Sequence, residues 1–308
     1  MSTLAWQCIL EGRDRQRAIE ATQGLAEDLV EPRLICSAKT DELQRLASTA
    51  AASLAQGYAG IAQFFGELAR FSREDRWQNL AAEHFHRAID HAGGAPMGNT
   101  LYEGFPGLLF SAVLLEKMAP ESFPSFEDIG GEQAETLSLA SLEDVRQGFS
   151  FELLYGIAGL GVYFLTRPGS DLYRRALRAI LSRMGRLATR EQELISWFVP
   201  PEELSGESRG LYPNVYCNLG MAHGAPAVIA FLAKLYEADF EREEVSCLLR
   251  GSVAWLLAQR LTCDFISFFP EVVAENVEPH ASRLRWCYGD LPIGVSLWAA
   301  GVQMDIPE

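Results

Sequence analysis

Two short segments in the second half of the chain carry side chains that can bind a metal or move a proton. One is Asn218-Leu-Gly-Met-Ala-His-Gly224, and the other is Arg285-Trp-Cys-Tyr-Gly289. Histidine exchanges a proton near neutral pH and also binds metals, while a cysteine thiolate is both a nucleophile and a zinc ligand. In both segments the reactive residue stands just before a glycine and an apolar run. They therefore indicate one structural unit used twice, with chemistry attached to its turn.

The same layout occurs around three earlier glycines that lack a reactive neighbour. The five segments begin at Gly57, Gly104, Gly156, Gly224 and Gly289, which are 47, 52, 68 and 65 residues apart. Recurrence of one unit at such spacings is typical of a repeat architecture. Since glycine permits tight turns and close backbone approach, we interpret these glycines as structural.

Helical patterns fill the chain between and after the glycines. The apolar runs that follow them are 61–71, 108–118, 160–165, 228–236 and 295–302, and amphipathic segments cover 77–88, 176–187 and 245–257. Apolar helices are buried and amphipathic helices face water on one side, and no convincing alternating strand pattern is present. We therefore predict an all-α fold with amphipathic helices packed outside buried ones.

Three segments without a helical pattern are predicted to be loops. They are 120–148, 200–213 and 264–283, and each leads into one of the glycine turns. Long loops at one end of a helical scaffold are where binding residues tend to lie. No low-complexity linker divides the chain, so we predict one domain over residues 1–308.

Composition and charge limit the kind of partner. The chain has 41 acidic and 26 basic residues, a net charge of -15, with 48% apolar residues. This argues against binding nucleic acid, which needs a basic surface, and is compatible with a basic peptide. No signal-peptide pattern opens the chain, and the apolar run 107–115 is too short for a membrane span. We expect a cytoplasmic protein whose six scattered cysteines are not disulfide staples.

The histidine and cysteine segments, together with the repeated glycine starts, resemble the lanthionine synthetase C-like family, the LanC cyclases. The resemblance covers essentially the whole chain. It implies an α/α toroid of seven helical hairpins, of which about five are present here. It also implies a zinc-dependent enzyme of lantibiotic biosynthesis that adds peptide cysteine thiols to dehydroalanine or dehydrobutyrine, which makes thioether rings. The implied partners are a ribosomal precursor peptide and a lanthipeptide dehydratase.

The resemblance assigns roles to four residues. Cys287 matches the first zinc-binding cysteine of the family, and His223 matches its acid/base histidine. Arg283 matches an arginine near the metal and would stabilise developing negative charge. Glu152 stands where the family usually has a catalytic aspartate, so the carboxylate is kept on a chain that is one methylene longer.

The zinc site departs further from the family. The other two zinc ligands there are an adjacent Cys-His pair in the sixth hairpin, but this chain contains no Cys-His dipeptide and stops at Glu308, after the fifth unit. We therefore expect a toroid that is incomplete at its C-terminus and a zinc ligand set that is incomplete as well. Because a catalytic zinc takes about three protein ligands, enzymatic activity stays an open question at this point.

Two other functions are compatible with the sequence. A metal-free protein that keeps a peptide-binding cleft would explain the missing Cys-His pair. A glycan-processing enzyme would use two carboxylates across a cleft, such as Glu152 and Asp290, but would not need the histidine and cysteine motifs. The same residues also have structural interpretations: Glu152 and Asp290 as acids at helix starts, Arg283 as an ion-pair partner, and Cys287 as a small buried residue.

Overall fold

A computed structural model describes residues 9–32, 41–94, 96–204, 206–211, 214–262 and 266–304. The chain divides into two compact units. The first comprises Met1–Pro96 and Ser111–Ser125, and the second comprises Met97–Phe110 and Phe126–Glu308. Among the described residues no helix combines the length and the apolar character that a membrane span requires.

The first unit is built from helices. They are α1 (Gly12–Asp28), α2 (Asp41–Ala52), α3 (Tyr58–Ser72), α4 (Asp75–Gly93) and the later part of α5 (Phe105–Met118), followed by a 3-10 turn at Pro120–Ser122. Stacked rings join α3 to α4. The ring centroid of Phe65 lies 5.7 Å from that of Trp77 and 5.3 Å from that of His84. His84 is fully buried and packs in this core, as a residue on the inner face of an amphipathic helix does.

The second unit combines helices with two small sheets. Its further helices are α6 (Gly131–Glu143), α7 (Ile157–Leu165), α8 (Tyr173–Leu187), α9 (Gly206–Leu211), α10 (Ala225–Glu237), α11 (Arg242–Ala258) and α12 (Asp290–Met304). The antiparallel pairs are β1 (Thr189–Glu191) with β2 (Leu194–Ser196), and β3 (Tyr216–Asn218) with β4 (Val272–Ala274). The second pair sets Cys217 opposite Val273, so the segment that leads to His223 is fixed by a partner strand.

The predicted repeat is confirmed, because a helix begins directly after each of the five glycines. These helices are α3, α5, α7, α10 and α12. A Cβ atom at any of the five glycines would lie 2.1 to 2.6 Å from the carbonyl oxygen of the residue six positions earlier. Since real Cβ atoms essentially never approach another atom closer than 3.0 Å, only glycine fits there. At Gly289 the φ of 101° adds a second reason.

The loop predictions were wrong for two of the three segments. Residues 120–148 contain helix α6, and residues 200–213 contain the short helix α9. Helix α6 buries polar Glu135, which accepts hydrogen bonds from the Tyr163 hydroxyl at 3.0 Å and from Arg167 at 3.2 Å. A helix whose buried face is partly polar gives no apolar period, so tertiary contacts specify it instead.

The four strands were also not predicted. Each is three residues long, and β4 lies inside the third predicted loop, 264–283. Three residues are too few to show a period of two, and strand formation depends on cross-strand partners. The third loop is therefore partly ordered by pairing with β3, although residues 264 and 265 lie outside the described part of the chain.

Candidate functional site

Glu152 is held by the backbone of its own turn, just before α7. One carboxylate oxygen, Oε1, accepts the backbone N–H of Tyr155 at 2.5 Å, and the other, Oε2, accepts that of Leu154 at 3.2 Å. The side chain is only 7% exposed. These two bonds to backbone donors fix the orientation of the carboxylate.

The imidazole of His223 contacts this carboxylate across 71 residues of sequence. The Nδ1 atom lies 2.6 Å from Oε2 of Glu152. An ionised carboxylate only accepts hydrogen bonds, so this contact assigns the proton of the neutral ring to Nδ1 and leaves a lone pair on Nε2. The side chain of His223 is 41% exposed, and no described residue bonds its Nε2 atom. The pair can therefore take up a proton and return it.

Backbone hydrogen bonds join neighbouring turns around this pair. Leu153 donates its N–H to the carbonyl of Ala222 at 3.3 Å, which links the turn of Glu152 to the turn of His223. Met221 donates its N–H to the carbonyl of Cys287 at 2.8 Å, which links the turn of His223 to that of Cys287. The structure thus places three predicted residues, Glu152, His223 and Cys287, on three connected turns of the second unit.

Asn218 organises the turn that carries His223. Its Oδ1 accepts the N–H of Gly220 at 2.7 Å, and its Nδ2 donates to the hydroxyl of Tyr288 at 2.8 Å. Asn218 is buried, so these bonds satisfy an amide that would otherwise be costly to bury. Both residues belong to the motifs that define the site, but no sequence pattern indicates that they contact each other.

Arg283 forms an ion pair, which was one of its two interpretations from the sequence, but its partner Glu271 was not identified there. Its Nε and Nη2 groups donate to the two carboxylate oxygens of Glu271 at 2.6 and 2.9 Å, and its backbone N–H donates to Oε1 at 3.1 Å. These bonds raise the pKa of Arg283 and lower the pKa of Glu271. Glu271 in turn lies beside β3, since its carbonyl accepts the N–H of Leu219 at 2.9 Å. Arg283 is therefore fixed near the His223 turn, with much of its charge compensated.

Asp290 has a structural contact instead of a catalytic one. Its carboxylate accepts the backbone N–H of Phe268 at 3.0 and 2.9 Å and that of Phe269 at 3.1 Å. The first residue of α12 thus holds the preceding loop, whereas Glu152 is engaged by His223. No contact among the described residues favours a glycosidase pair of Glu152 and Asp290.

The described residues do not supply a zinc ligand set. No three His, Cys, Asp or Glu side chains among them lie close enough together to hold a metal ion. Cys287 is half-buried, but Cys217 is fully buried, and burial raises the pKa of its thiol well above the ordinary range. Cys263 lies outside the described residues. Cys287 alone does not fit the three protein ligands that a catalytic zinc takes.

Comparison with known proteins identifies the family. A family model described as "Lanthionine synthetase C-like protein" matches residues 48–307. A solved structure of "Nisin cyclase" superposes with a TM-score of 0.71 at 16% sequence identity, over 96% of this chain and 72% of that chain. At this identity the likeness shows the fold, which is the predicted α/α toroid. No curated protein sequence matches significantly. Because the family model covers most of its length, this chain belongs to the lanthionine synthetase C-like family.

Proposed function

We propose that this protein adds cysteine thiols of a ribosomal precursor peptide to dehydroalanine or dehydrobutyrine residues, which closes thioether rings. The observation that carries the proposal is the 2.6 Å contact between Nδ1 and Glu152, made by a His223 side chain that is 41% exposed. In a member of the lanthionine synthetase C-like family, that pair is suited to move the one proton that the reaction transfers.

The proposed reaction moves this proton from sulfur to carbon. Nε2 of His223 takes the proton of the substrate thiol, whose ordinary pKa of about 8.5 otherwise leaves little thiolate. The thiolate attacks the β-carbon of the dehydroamino acid, so that a carbon–sulfur bond forms and the carbon–carbon double bond becomes an enolate. The imidazolium then protonates the α-carbon, and the ring has the same mass as the linear peptide. Glu152 stabilises the imidazolium in between.

Arg283 is proposed to stabilise the enolate. Its Nε and Nη2 groups are bonded to Glu271, and no described residue bonds its Nη1 group. The side chain of Arg283 is 60% exposed, and a preorganised donor stabilises charge that develops on an acyl oxygen. Glu271 would hold this donor in place while Nη1 faces the substrate.

Zinc is the proposed cofactor, because the chain belongs to the lanthionine synthetase C-like family. A zinc ion bound through Cys287 would hold the substrate sulfur as a thiolate. At least one of the two further ligands would have to come from outside the described residues, because no group of three lies within them. The proton transfers of His223 and Glu152 do not depend on the metal.

Further partners follow from the chemistry of the substrate. Dehydroalanine and dehydrobutyrine arise from serine and threonine, so a dehydratase must act on the precursor peptide first. We propose a cytoplasmic reaction, because a reducing compartment keeps the peptide thiols free to react.

A dehydrated peptide with one cysteine and one dehydroalanine tests the function. We expect the protein to make its thiol resistant to alkylation without a mass change, and His223→Phe to abolish this conversion. His86→Phe is the matched control, since His86 is exposed on α4 and its one hydrogen bond with a described residue is to the carbonyl of Ala82 in its own helix. A peptide that stays alkylatable at the rate seen without protein would rule out the cyclase.

A metal-free peptide-binding protein is the second candidate. The lack of a three-ligand cluster among the described residues favours it. This candidate predicts that the protein and its Cys287→Ala variant bind the dehydrated peptide equally and convert none of it. Conversion that is lost in the variant would contradict it.

A further inference from the structure

Tyr155 makes three contacts around the His223–Glu152 pair. Its backbone N–H donates to Glu152 Oε1 at 2.5 Å. Its ring lies nearly parallel to the His223 imidazole, at 16° and with 6.0 Å between centroids. Its hydroxyl donates to Glu103 at 3.3 Å. One residue thus contacts both members of the pair and a carboxylate on another turn.

The three side chains in this series occupy the same position of successive turns. Glu103, Tyr155 and His223 each stand directly before the glycine that starts a helix, at Gly104, Gly156 and Gly224. The turns share the close contact six residues before the glycine, so each presents its preceding side chain in a similar way. The series Glu103–Tyr155–His223 is therefore a product of the repeat.

The ring contact restrains a motion that the hydrogen bond leaves free. A bond at Nδ1 fixes one atom of the imidazole, but the ring can still pivot about that bond. An offset stack at a centroid distance of about 4.5–7 Å restricts the plane of the ring. Burial, and then the charge of Glu103, raise the pKa of the Tyr155 hydroxyl, which keeps it a donor.

The turn of Glu103 is itself attached to the turn of Tyr155. Tyr102 donates its backbone N–H to the carbonyl of Leu154 at 3.1 Å, and the N–H of Glu103 is held by Thr100 Oγ1 at 3.3 Å. Glu103 is thereby placed to hold the far end of the Tyr155 ring.

We propose that Tyr155, held by Glu103, is a positioning residue that sets the ring plane of His223 and so aims Nε2 at the substrate. The inference rests on the proposed function for its catalytic consequence. Its structural part, the orientation of the imidazole, does not require a substrate. Sequence reasoning singled out neither residue, because their shared position becomes informative only when the turns are seen in contact.

Nitrogen-15 NMR of histidine-labelled protein without substrate tests the structural part. The chain has five histidines, and the spectrum of His223→Phe identifies the signals of His223. In Tyr155→Leu we expect its two ring-nitrogen shifts to move toward each other, since a loosened ring exchanges between tautomers. Tyr155→Phe keeps the stack and should restore most of the parent pattern. Unchanged His223 signals in Tyr155→Leu would overturn the inference.

Kinetics with the dehydrated peptide test the catalytic part. We expect Tyr155→Leu to lower kcat about tenfold with little change in KM, because misplacing a proton-transfer group affects the transition state. Tyr155→Phe should lie between that variant and the parent, and Glu103→Gln, which keeps an acceptor oxygen, should lie close to the parent. Trp298 is an exposed aromatic residue on α12, so Trp298→Leu is the matched control for loss of an aromatic ring.

The two measurements separate the inference from the function. If the parent closes no ring while Tyr155→Leu changes the His223 signals, the proposed function fails and the positioning role stands. If the parent closes rings and Tyr155→Leu matches it in both spectrum and kcat, the inference alone fails. Tyr155 is 44% exposed, so the leucine variant should fold, and a melting curve checks this before either measurement.

Discussion

At the scale of single residues, the site depends on the hydrogen bonds that the Glu152 carboxylate accepts from several donors. Glu152 bonds two backbone N–H groups of its own turn and the ring of His223 at the same time. The family resemblance implied an aspartate at this place, and the longer glutamate spans these three donors here. The length of the side chain is therefore part of the site, as well as its charge.

Substitutions of Glu152 should separate charge from length. Glu152→Gln removes the negative charge that stabilises the imidazolium, so we expect ring closure to slow by roughly 10²-fold or more. Glu152→Asp keeps the charge but shortens the reach, and we expect an intermediate loss of about tenfold. Initial rates of thiol loss, measured by alkylation and mass spectrometry, give both values. Equal rates for all three proteins would show that His223 acts without Glu152.

At the scale of elements, the glycine turns decide where the helices begin. A Cβ atom at Gly224 would lie 2.1 Å from the carbonyl oxygen of Asn218. At Gly294, inside α12, a Cβ atom would have no neighbouring atom within 4 Å. Gly224 therefore has no room for a Cβ atom and Gly294 does, and a substitution to alanine distinguishes the two positions.

Gly224→Ala should destabilise the protein, and Gly294→Ala should not. The first forces a backbone shift, for which we expect a loss of about 3 kcal/mol or more in the free energy of unfolding. The second improves helix propensity and should add about 0.5–1 kcal/mol. Urea unfolding followed by circular dichroism measures both. A Gly224→Ala variant as stable as the parent would contradict the turn geometry.

The pair of Arg283 and Glu271 should make stability depend on acidity. The bonds from Arg283 lower the pKa of Glu271 below its ordinary value of 4.5. A carboxyl whose pKa is lower in the folded than in the unfolded chain contributes stability above the ordinary pKa. That contribution is lost as the pH falls through the lowered value. Melting temperatures should therefore differ between the parent and Glu271→Gln at pH 7 and converge under more acidic conditions. A pH-independent difference would contradict this account.

Some helices and contacts of this protein could be predicted from the sequence, and others could not. The helices after the glycines were predictable, because the turn repeats five times and each copy supports the others. Helix α6 was not, since Glu135 on its buried face takes its partners from α7 and beyond. The pair of Arg283 and Glu271 was not predictable either, because both residues lie outside helices and follow no period. Long-range polar contacts carry no local signal.

At the scale of the whole molecule, family membership and the positions of the metal-capable side chains give different indications about zinc. The chain belongs to a family for which the resemblance implies zinc, but the described residues contain no group of three metal-capable side chains. The described residues therefore form the fold and the contact between His223 and Glu152, but they do not by themselves form a site for a metal ion. The single domain predicted over residues 1–308 stays a prediction.

Zinc content should be well below one ion per chain in the purified 308-residue protein. Cys287 belongs to no group of three metal-capable side chains among the described residues, and a catalytic zinc takes about three protein ligands. Plasma emission spectrometry on the parent and on Cys287→Ala should give the same low value. One zinc per parent chain, lost in the variant, would show that side chains outside the described residues complete the site.

The position before each glycine has a consequence for protein engineering. The contact that specifies each turn lies at the glycine, so the side chain before it can differ from one turn to the next without changing the turn. Glu103, Tyr155 and His223 stand at this position in three of the turns, and Tyr288 stands there in the fifth. New catalysts could therefore be selected from a library that randomises these four positions together while the scaffold stays constant.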